Sequence, residues 1–213
     1  MRLTVLGLQG SGKTWLTKKR FVPAYHPHCV VWDPNDEYTG IAGLIRYVPR
    51  FTGEEEKLRE EMRLFIHRVV LPNCWSLEQL EKTGKEKTNR IRCVIFDEAD
   101  LIAPSKRNLN SALHDLIVRS RHLRVDLIFI SRRPTDLSAY VMDTSDYLIV
   151  FKQVGYNALK TVRALKVDSE KAIKELNYKN HEFLLYDRER YYKKWTADTL
   201  ELSEIGLVNT YLF

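Results

Sequence analysis

A short run of strand-forming residues, Arg2 to Leu6, ends directly in Gly7-Leu8-Gln9-Gly10-Ser11-Gly12-Lys13-Thr14. A loop of the form G-x-x-x-x-G-K-[ST] between a strand and a helix restricts the fold more than any other segment, because each residue type has a steric or electrostatic reason. Gly7 and Gly12 let the backbone curl so that successive N–H groups face phosphate oxygens. The helix that follows presents its positive end to the same anion. The spacing predicts that Lys13 reaches the β- and γ-phosphates and that the Thr14 hydroxyl ligates Mg²⁺. Gly10, Ser11 and Trp15 complete the predicted contacts of an ATP–Mg²⁺ site.

The rest of the chain reads as α/β. Apolar runs at Leu3 to Leu6, Cys29 to Trp32, Ile91 to Phe96, Val125 to Ile130 and Tyr147 to Phe151 predict buried, mainly parallel strands, with a weaker strand at Leu44 to Val48. Between them, Glu54 to Leu71 carries Leu58, Met62, Phe65, Ile66, Val69 and Val70 on one helical face. Asn108 to Arg121 does the same with Leu109, Ala112, Leu113, Leu116 and Ile117. The polar stretch Asn73 to Arg90 reads as an exposed excursion. Two short helices, Tyr156 to Leu165 and Ser169 to Leu176, precede a hairpin of His181 to Tyr186 with Arg190 to Trp195.

With 213 residues, 44% of them hydrophobic, the chain suits one domain with small additions. Residues 1–195 read as that domain, with 151–195 its C-terminal part. Residues 196–213 read as an apolar tail that packs on its own domain or docks on a neighbouring subunit or shell protein. The strand that opens the chain leaves no room for a signal peptide, and no stretch reaches membrane-span length, so the expectation is an intracellular, non-secreted protein. Cys29 and Cys93 lie in apolar strands and read as buried free thiols; with Cys74 they show no zinc-ligand spacing. A net charge of +6 is compatible with a polyanionic partner.

Cys93-Val94-Ile95-Phe96-Asp97-Glu98 is a hydrophobic strand ending in two acids, a Walker B pattern. Asp97 is expected in the Mg²⁺ shell beside Thr14, and Glu98 as the base that polarises the attacking water. Asp97 to Asp100 spells D-E-A-D, but helicases with that motif need two tandem domains, and the chain is too short for both. The strand ending at Ile130 leads into Ser131-Arg132-Arg133-Pro134, where Ser131 is placed to sense the γ-phosphate. Just before that strand, Arg119-Ser120-Arg121-His122-Leu123-Arg124 ends a helix. Those arginines either complement the helix dipole or supply an arginine finger across a subunit boundary.

Together these pieces resemble the FtsK–HerA superfamily of ring-forming DNA-pumping ATPases. Asp33-Pro34-Asn35-Asp36-Glu37-Tyr38 is similar to its D-x-x-x-E-Y element, and Arg121 followed by Arg133-Pro134 is similar to its G-R and Q-R-P signatures. Ser120 stands where glycine is usual and Arg132 where glutamine is usual, leaving Ser131 or Arg132 to couple nucleotide state to the DNA-facing side. The resemblance covers Met1 to Phe151, and extends less closely to Tyr186. It implies a RecA-like P-loop NTPase: a mainly parallel central sheet flanked by helices, with a small C-terminal helical and hairpin extension. A short motor of this kind resembles the genome-packaging ATPases of double-stranded DNA viruses of the internal-membrane and poxvirus-like type. That implies a homo-oligomeric ring, hexameric or pentameric, hydrolysing ATP to thread duplex DNA into a preformed capsid. It also implies residence in host cytoplasm or at a virion vertex, against a capsid or membrane protein of the portal.

On this expectation Lys106 and Arg107, in the basic loop Ser105 to Asn108, grip phosphates in the pore. Lys82, Lys85, Lys87 and Arg90 form a second candidate, or simply a solvated charge run with Glu78, Glu81 and Glu86. A HerA-like cellular DNA-transfer ATPase, a P-loop nucleotide kinase and an ATP-gated assembly factor stay open as alternatives, as does RNA in place of DNA.

Overall fold

The computed structural model describes residues 1–74, 90–165 and 169–207. Its centre is an eight-stranded sheet in the order β3-β2-β4-β5-β1-β6-β7-β8. The strands are β1 (Arg2–Leu6), β2 (Cys29–Trp32), β3 (Ile45–Tyr47), β4 (Cys93–Phe96), β5 (Asp126–Ser131), β6 (Tyr147–Phe151), β7 (Phe183–Tyr186) and β8 (Tyr192–Trp195). The pairs from β3 across to β6 are parallel; β7 and β8 join as antiparallel strands. The predicted hairpin is therefore present, and it extends the main sheet rather than forming a separate appendage.

The central strands are mostly apolar and almost wholly buried because helices or chain cover both faces. Alternate residues go to opposite sides. On one face Leu6, Trp32, Phe96, Phe129 and Val150 pack under two helices, α2 and α3. The first begins as Glu55–Phe65 and widens into a π turn at Ile66–Val70; Pro72 then stops it, lacking an N–H to continue. The second, α3, is Ser111–Arg119. It starts three residues later than predicted because the Asn110 side chain accepts a bond from the Ala112 N–H and caps it there. A six-residue helix, Ala139–Thr144, which the sequence pattern does not signal, adds Val141 and Met142 to the same layer.

On the opposite face Val5, Val31, Ile95, Ile130 and Phe151 meet α1, a helical run over 13–25 with a π turn at Thr17–Phe21 in its middle. Ala197, Leu200, Ile205 and Leu207 finish this layer. Arg20 holds the returning chain by donating to the carbonyls of Ala197 (2.6 Å), Asp198 (2.6 Å) and Leu200 (2.9 Å). The tail thus packs on its own domain as far as Leu207; residues 208–213 lie outside the described residues. Cys29 and Cys93 sit side by side on β2 and β4, buried and free. Burial pushes the thiol of Cys74 up to about 12. Among the described residues no helix is long and apolar enough to cross a membrane.

The register decides where the site forms. Leu6 of β1 lies opposite Ser131 of β5, and Phe96 of β4 opposite Phe129 of the same strand. The loops after β1, β4 and β5 therefore leave at one edge, at the carboxyl ends of parallel strands.

Candidate nucleotide site

The glycine loop after β1 folds as its residues require, with one refinement. Gly10 (φ 74°) and Gly12 (φ 103°) take left-handed backbone, which lets the loop turn inward. Gly7 is a glycine for a different reason than the expected curl: a Cβ there would lie 2.8 Å from the Phe151 Cβ. Lys13 is buried, and its ammonium donates to the carbonyls of Gly7 (2.6 Å) and Leu8 (3.0 Å). Burial lowers its pKa, partly offset by the charges of Glu98 and Asp97.

A cavity of about 480 Å³ collects Gly10, Gly12, Lys13, Thr14 and Trp15 with Asp97, Glu98, Arg132, Glu37 and His181. Glu98 takes left-handed backbone (φ 47°), unusual for a glutamate, which turns its carboxylate back to the phosphate side. Its Oε1 accepts from Arg132 Nη2 (2.9 Å), Arg132 Nε (3.0 Å) and Asn35 Nδ2 (3.2 Å). With all three bonds on Oε1, Oε2 is the oxygen that can take a proton from water. The loop after β2 is organised by Asp33, which is fully buried and accepts from the N–H groups of Glu37 and Tyr38, both at 2.9 Å. That turn brings Glu37 and Asn35 to the cavity. Asn35 is a contact that the D-x-x-x-E-Y pattern alone does not flag.

Asp97 is 4% exposed, and burial together with the charges of Glu98 and Glu37 pushes its carboxyl up to about 7. A carboxylate crowded in this way beside a threonine hydroxyl suits Mg²⁺, which takes one or two protein oxygens and completes its shell with phosphates and water. Thr14 and Asp97 are therefore the residues fit to hold it. Because the cation needs the ionised form, the Mg²⁺ concentration for half-maximal turnover should rise about fivefold between pH 7 and pH 6 and change little above pH 8. Metal titrations at pH 6, 7 and 8 check this, and a flat response would mean Asp97 is already ionised at pH 6. The stability of the metal-free protein has the opposite sign. Its folded pKa lies above the unfolded value near 3.9, so stability falls as pH rises from about 4 through 7.

The other predicted residues divide. Ser131 lies at the strand tip as expected, but its hydroxyl donates to Asp100 (2.7 Å) and it ties two loops together; Arg132 is the neighbour that lines the cavity. Arg121 follows α3 in a turn at the amino end of the strands, where Nη2 reaches Asp146 Oδ1 at 3.2 Å. The P-loop leaves the other end of five-residue β1, roughly 15 Å away. Lys106 and Arg107 are exposed beyond the acidic strand end, and Arg107 pairs with Glu55. Arg90, grouped with the second phosphate-gripping candidate, is buried instead, donating to the Arg124 carbonyl at 2.9 Å. Carbonyls of the turn before β5, Leu123 and Arg124, draw the guanidinium inward. Lys82, Lys85 and Lys87 lie outside the described residues.

Two further residues reach the P-loop from the C-terminal part. Tyr178 Oη donates to the Gln9 carbonyl at 2.6 Å, and His181 Nδ1 bonds the Ser11 carbonyl at 3.0 Å. Neither belongs to a motif, so pattern reading had no signal for them.

Neither a protein-family model nor a curated protein sequence matches the chain. Solved structures match in shape. The genome packaging NTPase B204 from Sulfolobus turreted icosahedral virus 2, in complex with AMPPCP, has a TM-score of 0.64 at 22% identity, over 90% of this chain and 95% of its own. The conjugation coupling protein TcpA of pCW3, as a monomer with ATPγS, has 0.57 at 14% identity, over 95% of this chain and 61% of its own. The Type VII secretion ATPase EccC of Thermomonospora curvata, as its cytoplasmic domain, has 0.58 at 18% identity, over 92% of this chain and 25% of its own. The fold is that of a RecA-like P-loop NTPase, as the sequence led one to expect.

Proposed function

We propose that this chain is an ATP-hydrolysing DNA translocase that packages duplex DNA into a preformed capsid as a homo-oligomeric ring. The observation that carries the hydrolytic half is Glu98, a carboxylate in the phosphate cavity beside Asp97, Lys13 and Thr14. A kinase moving phosphate to a metabolite has no need of a water-activating group there, whereas a motor does. The ring draws on Arg121, which lies too far from its own P-loop to act on it and in this reading acts on a neighbour's.

In this reading the P-loop N–H groups and Lys13 bind the β- and γ-phosphates. Glu98 takes the proton of the attacking water, and the neighbour's Arg121 stabilises charge gathering on the γ-phosphoryl oxygens. Thr14 and Asp97 would hold Mg²⁺, which would further neutralise the phosphates. Arg132, bonded to Glu98 and placed at the tip of β5, is the residue through which loss of the γ-phosphate reaches the outer loops. Lys106 and Arg107 contact DNA phosphates, which carry no sequence information and suit a motor that must move any sequence. The packaging half draws on the likeness in fold to B204 and on the D-x-x-x-E-Y and R-P elements.

Steady-state phosphate release, with and without duplex DNA and at graded salt, tests the proposal. The expected result is stimulation of several-fold that fades as salt rises, since phosphate contacts release counterions. Transfer of phosphate to a small acceptor would make the protein a kinase. Slow turnover indifferent to DNA would make it an assembly factor.

A further inference from the structure

The cavity has two chemically different ends. At one, Asp97, Glu98 and Arg132 are charged and stand where the γ-phosphate must lie if Lys13 and Thr14 play their usual parts. The phosphate chain then runs back along the first turn of α1, so that whatever the phosphates are attached to emerges beside Trp15. That end is aromatic. The Trp15 ring lies 5.8 Å from the His181 ring at 37°, and the Lys19 ammonium sits 4.5 Å over the indole and steadies it.

Both rings are held in place at some expense. His181 takes left-handed backbone (φ 50°), which histidine adopts infrequently, fixed by its N–H to the Tyr178 carbonyl (3.2 Å) and by Nδ1 to the Ser11 carbonyl (3.0 Å). Its ring rests against Gly12 so closely that a Cβ there would stand 2.9 Å from Cγ. Trp15 is 41% exposed, a costly placement for so large an apolar side chain unless something covers it. A purine carries an aromatic face of matching size, and aromatic side chains hold bases by stacking on that face.

We propose that Trp15 and His181 form the seat of the nucleobase, so that the turn leading into β7 closes the base side of the pocket. This deepens the nucleotide-site reading above and rests on it. The C-terminal part is then a component of the site. His181 positions the loop as well as the base, whereas Trp15 touches the base alone.

Calorimetric titration of the full chain with ATP and with inorganic tripolyphosphate, which keeps the phosphates and lacks the base, separates the two readings. Trp15→Ala should weaken ATP binding by about five- to a hundred-fold, the range of one lost base stack, while tripolyphosphate affinity stays within about twofold. Trp15→Phe should restore most of the ATP affinity. His181→Asn, which tolerates the left-handed backbone, should weaken ATP more than tripolyphosphate. Unchanged ATP affinity in Trp15→Ala, or equal weakening of both ligands, would overturn the base seat while leaving the phosphate site standing. Wild-type protein that binds neither ligand would overturn the nucleotide site itself, and the seat with it.

Discussion

Arg121→Ala should cut ATP turnover by about a thousand-fold or more while leaving ATP binding nearly intact, and mixing it with a P-loop-dead subunit should bring activity back. The size follows from the charge such a guanidinium neutralises in the transition state, commonly worth 10³–10⁵ in rate. The rescue follows from position. Arg121 lies at the amino end of the strands and its own Lys13 at the carboxyl end, so one subunit cannot bring the two together. In a mixed ring, a Lys13→Ala subunit keeps its arginine and offers it to a neighbour whose P-loop is sound. Loss of fold is a poor explanation for the expected defect. The Arg121 side chain is 62% exposed, and Asp146 keeps Arg188 at 3.1 Å and the Arg2 N–H at 2.8 Å when Arg121 is gone. Exposed ion pairs contribute at most about 1 kcal/mol, far less than the rate effect expected here. A variant that is inactive, correctly folded and never rescued would place the role of Arg121 within its own subunit and remove the main support for a ring.

Glu98→Gln should bind ATP as well as the wild type and release phosphate about 10²–10⁴ times more slowly, the usual contribution of a positioned general base. Glutamine keeps the shape and can still accept from Arg132 and Asn35 through its carbonyl oxygen, so the pocket is preserved. What it lacks is a second oxygen able to take a proton. Equilibrium ATP binding beside single-turnover phosphate release checks this. Ordinary turnover in the variant would show that another group, or none, activates the water. The Lys13→Ala variant should behave in the reverse way, losing affinity first, because its ammonium serves bound phosphates before any chemistry.

Much of this site could be read before any coordinates. The P-loop and the strand Cys93–Phe96 with Asp97 and Glu98 are local patterns: a few neighbouring residues carry both the geometry and the chemistry, and the register of β1, β5 and β4 brings them together as the pattern implies. The Asp33 turn was also legible, since Asp33 bonds backbone groups only four and five residues on. Ser131 and Arg132 could not be told apart as sequence neighbours; which one faces the phosphates depends on Asp100 capturing the serine hydroxyl. Arg90 is buried for a related reason. Its basic neighbours suggested a solvated run, whereas its guanidinium bonds carbonyls more than thirty residues away and is buried against them.

By itself the sequence determined the fold class, the phosphate loop, the acidic pair and the order of the strands along the chain. These depend on residue spacing along one short segment at a time, and periodicity records that directly. Only the tertiary structure decided that His181 and Tyr178 reach back to the P-loop, that Asn35 and Arg132 converge on one oxygen of Glu98, and that Arg121 lies at the opposite end of the strands from its own nucleotide site. Each of these depends on contacts between segments far apart in the chain, set by how the strands are ordered in the sheet, and no local pattern encodes that order.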